Sequence, residues 1–310
     1  MPDGEIGDRM MWVQSQYPVL LDCPSIEAGD LPPEGLTRRI SYQIPLRLKR
    51  GAGADIAFGP LGYARHAKAS YAVFRALKVE GFIPTTWRFQ VGLPAPMDVM
   101  PMVELASRPA IEAAYERALL AELAAIEAAV PADELAITWD AVQGVLLWEK
   151  PDNDYVTPWF EPKLEGVVER LARLGAATRP GVELGYHLCY GSQDHRHALD
   201  PADLGACVRL TNALIAAVPR PIDYVHMPVP ANRSDDAYFK PLSKLKTVKM
   251  GEVYLGLIHY SDGVEGAKKR MAAAARHLPA FGVATECGFG RRPRHHDIRR
   301  LLQLHAEVAG

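Results

Sequence analysis

His187 and Cys189 are two residues apart at the end of the apolar run Val182–Leu188, and Cys287 closes a second apolar run about a hundred residues later. In a strand, residues two apart share a face, so one imidazole and one thiolate can aim at a single point. A third soft ligand from another strand end completes a metal-ligand pattern. Nitrogen and sulfur donors suit Zn2+, which keeps a fourth position free when its site is catalytic. The competing reading is burial, since cysteine packs as a small hydrophobe. Cys207 is read that way, because it lies among Ala and Leu in a helical stretch.

Other candidates stand where such a site would need them. Asp140, His226, His259 and Glu286 each follow or close a predicted strand. Asp140 would hold a cationic or hydroxyl group of a substrate, and His226 or Glu286 would move protons. His226, in Tyr224-Val225-His226-Met227-Pro228, is open among three roles: ligand, general base, or core histidine on a backbone carbonyl. His259 is open between substrate contact and a local role, and Asp262 reads as the cap of the helix after Ser261. Asp235 and Asp236 read as an N-cap pair. In Asp194-His195-Arg196-His197 the histidines read as solvated loop residues. Arg291 and Arg292 open a basic run ahead of the last helix, where the macrodipole disfavours positive charge, so a substrate carboxylate or phosphate would offset it. Trp87, Trp139, Trp148 and Trp159 near strand ends suggest an apolar wall for an aromatic substrate.

The elements that must position these residues alternate. Ala67–Val79 and Arg108–Val130 read as helices, the second opened by Ser107 with Pro109 just inside. Strands are predicted at Trp87–Val91, Leu135–Trp139, Val182–Leu188, Ile222–Met227, Val253–Ile258 and Gly282–Thr285. Asp200-Pro201 reads as a helix start for Leu204–Val218. Val13–Asp22 and Arg39–Leu46 can supply two further strands, and eight would close a barrel. Gly51-Ala52-Gly53 reads as a loop, and no glycine-rich phosphate loop follows a first strand, which argues against a doubly wound sheet. The expected fold is therefore α/β: one (β/α)8 TIM-like barrel over residues 1–310, irregular through 66 and regular from 67. In such a barrel functional residues gather at the C-terminal strand ends.

Composition sets the outer bounds. With 48% hydrophobic residues in 310, the chain can bury a large core. A formal charge of −2 argues against a nucleic-acid partner and for a small molecule, whether thiol, aromatic or carboxylated. The polar start MPDGEIGDRMM and the lack of a spanning apolar run point to a cytoplasmic protein with no membrane partner. Four cysteines suit a reducing compartment. A homo-oligomer is compatible with all of this.

The same residues resemble the catalytic barrel of cobalamin-independent methionine synthase and its relatives in the uroporphyrinogen decarboxylase/methionine synthase-like superfamily. His187-Leu188-Cys189-Tyr190 is similar to the family's His-x-Cys-Tyr, and Glu286-Cys287-Gly288 with Arg291 and Arg292 to its acidic-Cys-Gly and basic region. Asn232-Arg233-Ser234-Asp235 resembles a Ser-Arg-Ser-Asp element, and Gln90-Val91-Gly92-Leu93-Pro94 a glycine-proline strand end. The likeness runs loosely over residues 70–310. It implies a zinc barrel with His187, Cys189 and Cys287 as ligands, Tyr190 and Arg233 near substrate, and Asp140 where the family's aspartate holds a substrate amino group. The family's glutamate ligand is missing: His226-Met227-Pro228-Val229-Pro230 stands there, so His226 or water would take that place. The Asp-Glu-Pro signature is also missing around Trp139-Asp140-Ala141-Val142-Gln143. Methyl or alkyl transfer to sulfur is the first expectation. A metal-activated lyase or hydrolase, a metal-free decarboxylase, and a non-catalytic metal-binding protein are the others.

Overall fold

The structure, a computed structural model, describes residues 13–30, 44–52, 56–149, 157–191, 197–289 and 297–309. Its elements run α1 (Tyr17–Leu21), β1 (Ile26–Ala28), β2 (Leu46–Leu48), α2 (Tyr63–Val79), β3 (Phe89–Pro94), α3 (Pro96–Val99) and α4 (Arg108–Ala129). There follow β4 (Leu135–Ala141), α5 (Val142–Glu149), α6 (Lys163–Ala177), β5 (Glu183–Leu188), α7 (Gly205–Ala217) and β6 (Ile222–Pro228). The chain continues with α8 (Asp236–Phe239), β7 (Met250–Ile258), α9 (Gly263–Ala274), β8 (Gly282–Thr285) and α10 (Ile298–Ala309).

Strands β3 to β8 form one parallel sheet in sequence order. All six predicted strands are present, offset by a few residues at their ends. Val13–Asp22 is not a strand: it holds a 3-10 turn and α1, because Pro18 suits a first helical turn and cannot donate to a ladder. Of Arg39–Leu46 the described part reaches β2, which pairs antiparallel with β1 in a separate two-stranded sheet. The described residues thus contain six parallel strands of the eight a barrel would need.

The register puts Gly92, Thr138, Gly185, Tyr224 and Glu252 in one row, and Pro94, Asp140, His187, His226, Tyr254 and Gly282 in the next. Registered parallel neighbours share a face, so this inner face is polar and small. The alternate residues, among them Leu93, Ile137, Trp139, Leu184, Tyr186, Val225 and Leu255, are buried beneath the helices. Leu119, Leu123 and Ile126 of α4, Leu171 and Leu174 of α6, and Leu210 and Leu214 of α7 are buried with them. Each such side chain contributes about 1.5–3 kcal/mol when fully buried. Parallel strands covered on this face therefore read as the apolar runs seen in the sequence.

The inner face curls. Tyr224 lies across β5 at Gly185, where any Cβ would fall inside its ring. Its hydroxyl pairs with Thr138 at 2.5 Å and accepts from Gln90 Nε2 at 3.2 Å, tying β6 to β4 and β3.

Several helix starts differ from expectation in instructive ways. Ser107 precedes α4, but its hydroxyl accepts the Leu48 N–H at 3.1 Å instead of capping. The α7 helix begins at Gly205, not at Asp200-Pro201. Asp235 does cap α8, accepting the Tyr238 N–H at 3.0 Å. Asp262 holds the N-cap position of α9, yet its carboxylate goes to Arg270 in a two-oxygen fork at 2.7 and 2.8 Å. Arg270 is 1% exposed and also donates to the Leu257 and Ala231 carbonyls. A buried guanidinium needs that partner more than the helix needs a cap. Among the described residues no helix is long and apolar enough to cross a membrane.

Candidate metal centre

His187, Cys189 and Cys287 meet at the C-terminal edge of the sheet, with one ligand atom from each lying within 4.8 Å of the others. His187 points inward from β5; Cys189 lies one residue beyond that strand, and Cys287 two residues beyond β8. In a flat sheet β5 and β8 would stand about 14 Å apart, three strand spacings. Two one-carbon side chains cannot bridge that gap, so it is the curl that makes the site.

Local packing explains the approach of β8. Between Leu255 and Ile258 the β7–β8 register shifts. At Gly256 a Cβ would stand 2.6 Å from the Glu286 Cα. The glycine therefore lets the β8 end ride directly on β7. Thr285 Oγ1 donates to the Cys287 carbonyl at 2.7 Å, shaping the turn that carries the thiol.

His187 is 8% exposed and Cys189 2%, while Cys287 is partly exposed. His187 Nε2 faces Cys287 Sγ at 3.8 Å. Burial opposes a charge on His187, but the hydrogen bond and negative charge of Cys287, with Asp140 and Asp98 behind, lift its pKa to about 9. The same Cys287 hydrogen bond, and then burial, push the Cys189 thiol up. Cation binding there would release protons. An imidazole and two sulfurs converging from separate strands are a donor set for a soft or borderline ion such as zinc, and the three can hold a metal.

The other expected residues divide. Asp140 sits beside His187 on the same face, its strand partner in register. His226 is next in that row, with its Nδ1 2.8 Å from His187 Nδ1 and the rings 4.6 Å apart. It is turned onto the histidine, and the three-residue ligand group does not include it. Burial, then the charge on His187, lower its pKa to about 3. Glu286 accepts from His197 Nε2 at 2.8 Å. Burial works against a charge on His197, and the Glu286 carboxylate outweighs it and raises the pKa. His197 is thus a placed partner of Glu286, not the solvated loop residue its neighbours in the sequence suggested.

Three expected residues are occupied elsewhere. Tyr190 is fully buried, with its hydroxyl 3.6 Å from Cys207 Sγ and 3.4 Å from Glu149. Arg233 forks onto Asp235 and lies over the Tyr238 ring. His259 Nε2 donates to the Val229 carbonyl at 2.8 Å, and burial lowers its pKa. Arg291 and Arg292 lie outside the described residues, as do Asp194, His195 and Arg196.

The tryptophans build no wall. Trp139 is buried on the outer face against Thr178, Trp148 donates to Gly144 and Trp159 to Glu112, and Trp87 is 59% exposed. Cys207 is packing, as its helical setting indicated.

Asp98 went unremarked in the sequence. It follows β3 on the short α3, is 3% exposed, and accepts the Gln143 N–H at 2.6 Å. Burial drives its pKa well up, against the Gln143, Val142 and Ala95 N–H groups that favour its carboxylate. Only its position after a strand end could have marked it. Set against protein-family models and against curated proteins, the chain matches none.

Proposed function

We propose that the chain is a zinc-dependent enzyme on a (β/α)8 barrel, activating a thiol, hydroxyl or water of a small substrate. Methyl or alkyl transfer to sulfur is the first reading. The observation that carries it is the donor set: among the described residues, one nitrogen and two sulfurs meet at the C-terminal edge of a parallel sheet. Three protein ligands with a fourth position free are the mark of a catalytic rather than a structural zinc site. Bound there, zinc would lower the pKa of a coordinated thiol or water and supply a nucleophile at neutral pH.

The chain's own groups fit the remaining tasks. Asp140, beside His187, would hold a cationic or hydroxyl group of the substrate. Glu286, kept in place by His197, would accept or return a proton near the open position. Cys287 is the more accessible of the two cysteines.

Elemental analysis of the purified chain tests this. About one equivalent of zinc is expected in wild type and little in His187→Ala or Cys287→Ser, with the circular dichroism of all three alike. Metal retained in both variants, or full activity of a metal-free wild type, would refute the proposal. Cobalt substitution then separates the chemistries: a thiol-dependent change in the visible spectrum favours alkyl transfer, and its absence favours water activation. A closed set of four protein ligands by X-ray absorption would instead indicate a non-catalytic site.

A further inference from the structure

We infer that His226 is the positioning residue of the metal centre: its unprotonated Nδ1 accepts the Nδ1–H of His187 and so reserves His187 Nε2 for the ion. This rests on the metal reading above and goes beyond it, because His226 then neither ligates nor takes the substrate's proton.

The geometry leaves little choice. The two Nδ1 atoms are 2.8 Å apart, so one nitrogen carries the proton and the other a lone pair. His187 Nε2 faces Cys287 Sγ and must be bare to ligate. The proton on His187 therefore sits on Nδ1, and His226 is the acceptor. The His226 proton is then on Nε2, which is buried with no hydrogen-bond partner among the described residues.

Metal-bound histidines commonly give their second N–H to a carboxylate, backbone carbonyl or water, which fixes the ring and raises its basicity. A neutral imidazole in that place fixes the ring with less electron donation. It leaves the ion a stronger Lewis acid than a carboxylate partner would. The arrangement also joins two neighbouring strands, since His187 is on β5 and His226 on β6.

Two substitutions separate orientation from bulk. His226→Phe keeps a ring against His187 without an acceptor, and His226→Asn puts an amide oxygen near the position of Nδ1. Zinc affinity, measured by competition with a chelating dye, should weaken about 10–100-fold in His226→Phe, the usual effect of losing such a partner. His226→Asn should stay within several-fold of wild type. Long-range nitrogen–proton correlations on the metal-free wild type should show His187 protonated and His226 bare at Nδ1. Wild-type affinity in a folded His226→Phe, equal losses in both variants, or a proton on His226 Nδ1 would overturn the inference. If His226→Phe does not fold, the asparagine variant and the spectrum decide. A wild type that takes up no metal defeats the proposed function, while the spectrum still decides the histidine pairing.

Discussion

At the scale of single residues, partners decide roles that residue type leaves open. Asp262 is the case with a measurable consequence. Burial favours its neutral acid, but the Arg270 fork and charge prevail and hold its pKa below the usual value. A depressed folded-state pKa contributes stability that is complete above the unfolded value of about 3.9 and disappears as pH falls through the folded one. Asp262→Asn strands the buried Arg270 and should cost about 1–3 kcal/mol at neutral pH, discounted from a fully buried pair because the Asp262 side chain is 36% exposed. Urea denaturation should show the gap between wild type and variant narrowing below about pH 4. A gap that is constant from pH 7 to pH 3 would sink this account. Residue type marked Asp262 as a cap, because its partner Arg270, eight residues on in α9, is buried and in need of a carboxylate only once α9 packs on β7.

At the scale of elements, the site depends on how β8 is held. The apolar runs ending in Cys189 and Cys287 were legible because parallel strands covered by helices must be apolar. Their ends were legible as candidate ligand positions because soft and polar side chains cluster there. The register shift at Gly256 was not, since it depends on the contact between β7 and the Glu286 backbone. Gly256→Ala should push the β8 end off β7 and move Cys287. It is expected to lower zinc affinity at least about tenfold by loss of ligand placement, with a smaller change in melting temperature than a core truncation would cause. Unchanged affinity in a folded variant would show that β8 is positioned by something else. Asp98 and the pairing of His197 escaped the sequence for the same reason: Asp98 meets the Gln143 N–H, and His197 meets Glu286, only once the chain has folded.

At the scale of the whole molecule, the two sources of ligand are β5 and β8, separated by two intervening strands and about a hundred residues of chain. An unfolded chain cannot hold them together, so an ion that binds only the folded form stabilises the entire sheet. Free zinc at about a hundred times its Kd should add about 2.7 kcal/mol. Calorimetry should show the melting temperature rising with zinc in wild type and staying fixed in Cys287→Ser. A rise of equal size in both would place the binding elsewhere. The alternation of strand and helix, the polar strand ends and the three metal-binding residue types were written in local pattern, because side-chain periodicity and donor chemistry are properties of short segments. Local pattern left Val13–Asp22 and Arg39–Leu46 as strands of the main sheet, where the fold has α1 and, in the described part, a separate antiparallel pair. It could not choose a role for His226 or find the partners of Tyr190, Arg233 and Asp262. Those follow from packing: Glu149 and Cys207 reach Tyr190 across the fold, while Asp235 and Arg270 stand near Arg233 and Asp262 in sequence and become their partners only in the packed structure.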